Sequence, residues 1–327
     1  MCAHAYDENY FCKKCGYTNL NLKYLSKASF PKVEYNCDNK VQFDYVSDLH
    51  LEFWCKDVDP NNHKTLNQIQ NFIINILKPK TDNILIIAGD LGHYPSQIKM
   101  LLLELKKFYK HILIVNGNHD MYLISNRLVS RYKSQSYNRI LEMKEFCKDN
   151  EGLYYLDGDV VEIEGITFGG VGMWHDNSYA NVLGLHPDDV MTEWSKNMND
   201  SKEIYFGHNY RQSYAYGYSV YIPSFKPLKW FESEKKKLDK IKNCQVLISH
   251  VGPVVPDNIP EKYKNNVYMC FYYFDGKKDI DRIKPKMWIH GHSHGYYEHE
   301  YNDCKIYCNT IGYPSDNLYN EIKTLEI

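Results

Sequence analysis

The 327-residue sequence lacks a strong charge of either sign, because 39 lysines and arginines nearly balance 41 aspartates and glutamates, for a formal net charge of -2. Net charge therefore gives no reason to expect binding to nucleic acid or to an anionic membrane, although a local basic groove stays compatible with it. Apolar runs of membrane-spanning length are also missing, the mean hydropathy is -0.56, and residues 1–4 are not typical of a signal peptide. These absences predict a soluble, intracellular, cytoplasmic protein without a membrane partner.

The sequence also lacks a cysteine framework typical of disulfide-rich proteins, since its ten cysteines are scattered through a chain long enough to bury a sizeable core. Near the N-terminus, Cys2 and His4 are followed by Cys12 and Cys15, and the C-x-x-C spacing is typical of half a tetrahedral zinc site. Residues 1–25 are therefore predicted to be a zinc-knuckle-like segment that holds a structural Zn. Such a segment stabilises the terminus or docks a partner. Two unrelated ligand pairs in a frayed terminus are the alternative.

Three short apolar segments in the first half of the chain each end at polar side chains that can bind a metal. The segments are residues 41–47, 84–88 and 112–115, and the polar residues that follow them are Asp48 and His50, Asp90, and Asn118 to Asp120. Helical apolar spacing over residues 66–77 and 96–109 separates the segments. Strands that alternate with helices are typical of a parallel sheet, whose strands end at one edge. We therefore expect these polar residues to meet there.

Further strands are predicted in the second half of the chain. Residues 159–163 and 166–170 have the alternation of a hairpin around Glu164-Gly165. Two apolar segments, residues 246–249 and 287–289, have the composition of buried strands and are followed by His250, and by His292 and His294. A lone histidine is more often a structural residue than a ligand. Several histidines placed directly after strands, with glycines beside them, favour the interpretation as ligands. Single helices are predicted over residues 126–148 and 230–241.

Residues 173–229 show no clear period and are predicted to be an insertion or lid within a domain spanning residues 40–327. Aromatic residues over 205–221 could pack on the domain or stack a nucleotide base. His208, Tyr210 and Arg211 from this segment, together with His93, are the possible substrate-binding residues. The chain has 30 tyrosines, which an AT-rich genome would explain as well as a tyrosine-lined site.

The strand-end residues form one set of nitrogen and oxygen donors. They are Asp48, His50, Asp90, Asn118, His250, His292 and His294. This set is too large for one ion and suits two, with Asp90 as the natural bridge. The absence of thiolates favours Mn, Fe, Zn, Co or Ni. Two such divalent metal ions can hold a bridging hydroxide and clamp the oxygens of a phosphoryl group.

The motifs appear in a fixed order along the chain, namely Asp48-x-His50, Gly89-Asp90, Gly117-Asn118-His119-Asp120, His250 and Gly291-His292-x-His294. This order resembles that of the calcineurin-like metallophosphoesterases over residues 43–309. The resemblance implies an α/β fold, a four-layer αββα sandwich of two sheets packed face to face with helices outside. It implies that one ion binds Asp48, His50, Asp90 and His294. It implies that a second ion binds Asp90, Asn118, His250 and His292.

The resemblance also implies that His119 is the general acid that protonates the leaving alkoxide after attack by the bridging hydroxide. Many relatives have an acidic residue three positions after the Asp of the Gly-Asp motif, where it orients the catalytic histidine. Here that position is His93. Either Asp120 or another residue is therefore expected to orient His119, or His119 is a weaker acid. Loss of an orienting partner reduces turnover more than metal binding.

We therefore predict a dinuclear metal-dependent hydrolase of phosphate esters, either a phosphodiesterase or a nucleotide-type phosphatase. Two alternatives involve the N-terminal knuckle: a catalytically silent scaffold of the same fold that docks through it, and a nucleic-acid-binding adaptor or enzyme that uses it to hold its substrate. A scaffold would be expected to have lost ligands, and this chain keeps the whole set. Metal-dependent cleavage of simple phosphate esters distinguishes the enzyme from the scaffold.

Overall fold

The computed structural model describes residues 40–213, 219–257, 259, 261–318 and 320–327. The predicted zinc-binding residues Cys2, His4, Cys12 and Cys15 lie outside the described residues, so the N-terminal zinc site stays a prediction. In the part of the chain that is described, no helix combines the length and the apolar character needed to cross a membrane.

The strands of the described residues form two large sheets and a separate hairpin. In chain order they are β1 (Gln42–Val46), β2 (Ile84–Ile87), β3 (His111–Ile114), β4 (Leu153–Tyr155), β5 (Asp159–Ile163), β6 (Ile166–Gly170), β7 (Tyr210–Ser213), β8 (Ser219–Ile222), β9 (Val246–Ile248), β10 (Met287–His290), β11 (Tyr296–Tyr301), β12 (Cys304–Asn309) and β13 (Lys323–Glu326). The first sheet has the order β13-β1-β2-β3-β4, the second has the order β11-β12-β10-β9-β6-β5, and β7 pairs with β8. Strands β1 to β4 are parallel to one another, as are β6, β9, β10 and β12.

Helices connect these strands on the outer sides of the sheets. In chain order the α-helices are α1 (Leu51–Trp54), α2 (His63–Phe72), α3 (Pro95–Leu105), α4 (Asn126–Arg131), α5 (Tyr137–Lys148), α6 (Ala180–Leu183), α7 (Pro187–Asn197), α8 (Asp200–Glu203), α9 (Pro227–Leu238), α10 (Glu261–Lys264) and α11 (Lys277–Ile283). Helix α2 continues as a π-helix over Ile73–Leu77, and 3-10 turns cover His119–Met121, Val267–Phe271 and Pro314–Asp316.

Three apolar clusters hold the layers together, and strand β2 shows why the sequence requires them. All four of its residues are buried. Ile84 and Ile86 face the second sheet in the central cluster, whereas Leu85 and Ile87 face α2, α3 and α5 in the outer cluster. A continuous apolar strand is thus covered on both faces. Helices α9 and α11 cover the second sheet in the same way. The order helix, sheet, sheet, helix confirms the predicted αββα sandwich.

Residues 173–229 contain helices α6 to α8 and the β7–β8 hairpin. Buried aromatic residues of this segment, Trp174, Trp194 and Phe225, pack with Met121 and Tyr122, which lie directly after the ligand loop of β3. The segment therefore has a core continuous with the site side of the domain. Its boundaries as an insertion, like those of the domain over 40–327, stay a prediction.

The helix predicted over residues 126–148 is instead two helices, α4 and α5. Lys133 and Ser134, which lie between them, have φ of 54° and 53°, and this left-handed backbone cannot continue a right-handed helix. The prediction of one helix was wrong here because neither Lys133 nor Ser134 is a glycine or a proline, so nothing in the sequence marks the break. The break turns α5 so that its buried Arg139 reaches the loops that carry the site.

Candidate metal centre and active site

The predicted ligands come together at one edge where both sheets end. Asp48 follows β1, Asp90 follows β2, and Asn118 follows β3, while His250 follows β9 and His292 follows β10. All five are buried. Parallel strands end at the same edge of a sheet, and the face-to-face packing of two sheets brings their two edges together. The fold thus collects residues that are far apart in the chain, such as His50 and His294, which are 244 positions apart.

Two groups of donor atoms form at this edge, each with all atoms within 4.8 Å of one another: Asp48, His50 and His294 in one, and Asp90, His250 and His292 in the other. In the first group, Nε2 of His294 lies 3.0 Å from Nε2 of His50 and 3.5 Å from Oδ1 of Asp48. Asp90 of the second group also lies close to the first, since its Oδ2 is 3.4 Å from Nε2 of His250 in its own group and 3.8 Å from Nε2 of His50 in the other.

Three imidazole rings donate a hydrogen bond from the nitrogen that points away from the centre. In the neutral ring, the other nitrogen then faces the centre with its lone pair. Nδ1 of His250 donates to the Ala88 carbonyl at 2.9 Å, Nδ1 of His294 to Asp316 at 2.8 Å, and Nε2 of His292 to the Phe271 carbonyl at 3.0 Å. Partners of this kind set the tautomer of metal-binding histidines. In the neutral rings the remaining nitrogens are acceptors. They face carboxylate and amide oxygens, which are acceptors too, and a cation between them would satisfy both.

The electrostatics agree with a cation-binding centre. Burial lowers the pKa of His50 and of His292 well below the usual range, so both rings are neutral and keep a lone pair. Burial also acts to lower the pKa of His250, but the adjacent Asp90 carboxylate outweighs it and raises that pKa to about 10. A proton on Nε2 of His250 would sit where a metal ion binds, so metal binding should release a proton. The donor set therefore fits divalent ions of the borderline type.

Most of the predicted ligands adopt left-handed backbone conformations, which residues other than glycine seldom do. Their φ angles are 52° for Asp48, 41° for His50, 55° for Asp90, 69° for His292 and 39° for His294. Each costs about 1–2 kcal/mol relative to the right-handed region. Strained backbone is concentrated at functional sites, where the surrounding structure enforces it. The conformations turn successive side chains inward directly after each strand.

Glycines beside the ligands let neighbouring loops approach closely. A Cβ at Gly117 would lie 2.1 Å from Oδ1 of Asp90, and one at Gly291 would lie 2.4 Å from Oδ2 of Asp48. Real Cβ contacts of this length do not occur, so both positions require glycine for space. The glycines of the motifs are thus part of the geometry of the site.

Asn118 presents its oxygen to the centre because two other residues fix its amide. Its Nδ2 donates to Asp200 at 2.9 Å, and Asp200 also accepts the Tyr122 hydroxyl at 2.6 Å. Oδ1 of Asn118 consequently faces Nε2 of His250 at 3.1 Å. Burial raises the pKa of Asp200, although its bonds to Tyr122 and Asn118 act in the opposite direction. Asp200 comes from α8, in the segment without a clear period.

His119 lies at the cleft wall beside the predicted metal ligands. Its Nε2 is 3.2 Å from the hydroxyl of Tyr313, and its Nδ1 is 2.8 Å from Nε2 of His93. Its backbone N–H donates to Oδ1 of Asp90 at 2.8 Å. Arg139 is buried under this loop and donates to the carbonyls of His119 and Gly92 at 3.2 and 3.0 Å, and to that of Tyr122. Burial lowers the pKa of His119 to about 4.

Asp120 is occupied by backbone amides rather than by His119. Its Oδ2 accepts the N–H of Asp90 at 2.9 Å and of Gly117 at 2.8 Å, and its Oδ1 accepts the N–H of Leu91 at 3.0 Å. Burial raises the pKa of Asp120 to about 6. Its carboxylate therefore joins the loops that follow β2 and β3, and the side chain in contact with Nδ1 of His119 is that of His93.

A third group of donors comprises His50, Glu52 and His119. It shares His50 with the first group, in which the other two members, Asp48 and His294, lie near Nε2 of the His50 ring. Oε1 of Glu52 lies on the other side, 4.0 Å from Nδ1 of His50, and both atoms are buried without a hydrogen-bond partner. Burial raises the pKa of Glu52 to about 8. One imidazole seldom serves two ions, so we assign His50 to the first group.

Two clefts meet above the centre at His119, Tyr122 and Tyr313. One, of about 550 Å³, is lined by His93 among others. The other, of about 590 Å³, has a wall rich in tyrosine and asparagine that includes Tyr268, Tyr272 and Asn266. His208 is exposed and contacts Ser134 at 3.2 Å, and it is not among the residues that line either cleft. The side chains of Tyr210 and Arg211 lie outside the described structure.

Sequence reasoning missed Glu52, Arg139, Asp200 and Tyr313. A signal existed for Glu52, because it continues the two-residue spacing of Asp48 and His50. Asp200 lies in a segment without periodicity, and Arg139 is an ordinary helix residue by composition. No local pattern distinguishes these two residues from surface residues.

Two packed sheets with histidine and aspartate clusters at their common edge define a class of metal-centred phosphoesterases. The model of the calcineurin-like phosphoesterase family matches residues 42–296 of this chain. The chain belongs to that family, whose members use divalent metal ions.

The chain is also similar to one viral protein and to two solved structures. The "Uncharacterized protein L509" of Acanthamoeba polyphaga mimivirus is 25% identical over 299 residues, which are 86% of this chain and 95% of the relative. The phosphopantetheinyl hydrolase PptH of Mycobacterium tuberculosis has a similar fold, with a TM-score of 0.59 and 14% identity over 86% of this chain and 95% of its own. A putative 5'-nucleotidase of Staphylococcus aureus matches with a TM-score of 0.37 and 14% identity, over 84% and 49% of the two chains.

Proposed function

We propose that this protein is a dinuclear metal-dependent hydrolase of phosphate esters. The observation that carries the proposal is the convergence of two donor groups, each within 4.8 Å, with Oδ2 of Asp90 in one group only 3.8 Å from Nε2 of His50 in the other. Two divalent ions bound there would activate water and neutralise the charge on phosphoryl oxygens.

In this proposal the ligands are assigned residue by residue, with Mn, Fe, Zn, Co or Ni as the metals. The first ion is held by Asp48, His50, Asp90 and His294, and the second by Asp90, Asn118, His250 and His292. Asp200 holds the amide of Asn118 so that its oxygen can bind. Asp120 fixes the loop that turns Asp90 inward.

His119 is the proposed general acid, because its Nε2 faces the cleft beside the centre. The N–H bond at Nε2 breaks, and the proton bonds to the leaving oxygen as that oxygen separates from phosphorus. Donation requires the protonated ring, whereas burial lowers the pKa of His119 to about 4. The negative charge of a bound phosphate ester favours the protonated form.

The substrate class proposed is a phosphodiester or nucleotide-type ester. Among the described residues that line the larger cleft there is no lysine or arginine, and the wall consists mainly of tyrosine and asparagine. A monoester carries about two negative charges near pH 7 and a diester about one, so a wall without cations suits the diester better. Tyrosine faces can stack a base, which contributes about 1–3 kcal/mol per base.

The substrate proposal is tested by replacing Tyr268, which is 37% exposed on this wall. Tyr268→Ala should raise KM for nucleoside esters by about 5-fold or more, given that stacking energy, and leave KM for the corresponding ribose esters without a base nearly unchanged. An equal change for both compounds would contradict stacking.

The function itself is tested by hydrolysis of bis-p-nitrophenyl phosphate and p-nitrophenyl phosphate with added Mn. Cleavage should depend on metal and fall by about 100-fold or more in Asp90→Asn, whereas His119→Ala should lose about 100-fold or more on phenyl phosphate esters and less on p-nitrophenyl esters, whose leaving group needs little protonation. Asp281→Asn, at an exposed position on α11, is the control. Activity that is unchanged in both site variants would refute the proposal. No cleavage by the unmodified protein would favour the scaffold or the nucleic-acid-binding adaptor, which stay alternatives.

A further inference from the structure

We propose that His93 and Glu52 are positioning residues for His119, with His93 holding Nδ1 of the ring and Glu52 holding His93. The inference rests on the proposed function, in which His119 donates a proton to the leaving group. It assigns a role to two residues that the metal centre does not use.

The contact between the two histidines is direct. Nε2 of His93 lies 2.8 Å from Nδ1 of His119, and the ring planes differ by 8° with centroids 5.0 Å apart. A hydrogen bond between these two nitrogens, in rings that are nearly coplanar, prevents the imidazole of His119 from turning about its Cβ–Cγ bond. Its other nitrogen, Nε2, is then held toward the cleft, where the hydroxyl of Tyr313 lies 3.2 Å away.

Glu52 holds the backbone of His93 by a hydrogen bond and packs against its ring. Its Oε2 accepts the backbone N–H of His93 at 3.0 Å, and its Oε1 lies 3.2 Å from Nε2 of His93 and 4.0 Å from Nδ1 of His119. Oε1 is buried without a hydrogen-bond partner, so it points toward the histidine pair with its accepting capacity free. The side chain of Glu52 therefore fixes the loop of His93 through the backbone N–H and limits movement of the His93 ring by contact.

The proton transfer shows why this arrangement matters. Protonated His119 donates Nδ1–H to Nε2 of His93 and presents Nε2–H to the leaving oxygen. As the ester bond breaks, the proton leaves Nε2, the electron pair of the N–H bond stays on that nitrogen, and the products are a neutral imidazole and an alcohol. A ring that could rotate would present the wrong nitrogen for part of the time.

The test uses the acidity of the leaving group, because a general acid helps poor leaving groups more than good ones. His93→Ala is expected to cleave phenyl phosphate esters about 10-fold or more slowly than the unmodified protein, yet p-nitrophenyl esters within about 3-fold. His93→Gln, whose amide can still bond Nδ1, should recover part of the phenyl ester rate. His111→Ala is the matched control, since His111 begins β3 at the opposite end from the site and contacts Tyr154.

Glu52→Gln is nearly isosteric and provides the second variant. It should show the same selective loss on phenyl esters while its metal content equals that of the unmodified protein. Loss of a metal ion from Glu52→Gln would overturn the inference by making Glu52 a ligand. Equal losses on both esters, or no loss on either, in a protein that cleaves both would also overturn it. Failure of the unmodified protein to cleave either ester would instead overturn the proposed function, and the inference with it.

Discussion

Replacing Gly117 by alanine tests whether close packing of two loops sets the position of Asp90. A Cβ at this position would lie 2.1 Å from Oδ1 of Asp90 and 2.6 Å from its backbone nitrogen. The carboxylate cannot move aside freely, because it is 1% exposed and its Oδ1 accepts the His119 N–H at 2.8 Å. Overpacking of this kind costs about 1–3 kcal/mol. At about 2–4 °C per kcal/mol, we expect Tm to fall by roughly 2–12 °C.

The same displacement should weaken metal binding, because Asp90 belongs to one donor group and lies close to the other. Misplacing residues that only support a ligand costs about 10–100-fold in metal affinity, so moving the shared ligand should cost at least about 10-fold. Thermal unfolding of the metal-free protein measures the first effect, and titration with Mn or Zn against a chelator measures the second.

Gly165→Ala is the control for Gly117→Ala. Gly165 lies in the β5–β6 turn at φ 79° with no atom within 4 Å of an added Cβ, so alanine costs about 1–2 kcal/mol through the backbone alone. It should lower Tm and leave metal affinity unchanged. The reasoning is refuted if Gly117→Ala binds metal as tightly as the unmodified protein, or if both variants lose affinity equally.

Three further predictions concern two residues around the centre and the removal of metal from it. Asp200→Ala frees the amide of Asn118 to rotate and should weaken metal binding by about 10–100-fold; an unchanged affinity in a chelator competition would contradict this role. Arg139→Met leaves buried carbonyls of the His119 loop without their donor, each at a cost of about 1–3 kcal/mol, so Tm should fall by several degrees. Arg131 is exposed, and its ion pair with Glu142 is worth about 1 kcal/mol or less. Arg131→Met should therefore change Tm little, and a fall in Tm equal to that of Arg139→Met would contradict the reasoning. Treatment with EDTA should abolish ester cleavage and added Mn should restore it; activity that survives complete metal removal would exclude metal-dependent hydrolysis.

The sheets, and the convergence of most of the donor side chains at their common edge, could be predicted from sequence for a physical reason. A strand buried on both faces must be apolar throughout, as Ile84–Ile87 is, so its end is visible where Gly89 and Asp90 begin. Parallel strands end at one edge, and that rule alone brings Asp48 and Asp90 together. The hairpin around Glu164-Gly165 was equally predictable, from the alternation of residues 159–163 and 166–170. The structure confirms the turn, where Glu164 and Gly165 adopt positive φ angles of 53° and 79°.

The supporting residues could not be predicted because their roles depend on tertiary contacts alone. Asp200 contacts Asn118, 82 positions away, from a segment without periodicity. Sequence alone could not show whether Asp120 orients His119 or accepts backbone amides. Either role is possible for an aspartate that directly follows Asn118 and His119. His93 interrupts the family pattern, and only the structure places Glu52 beside it.

The most direct test of the central claim is the metal content of the purified protein, measured by elemental analysis together with that of Asp90→Asn. The account predicts about two divalent ions at the sheet edge of the unmodified protein, apart from any zinc on the N-terminal cysteines. It predicts that Asp90→Asn loses ions from this edge and loses cleavage of bis-p-nitrophenyl phosphate with them. A protein that retains no ion at the edge under metal-replete conditions, or an Asp90→Asn variant with unaltered metal content, would contradict the account.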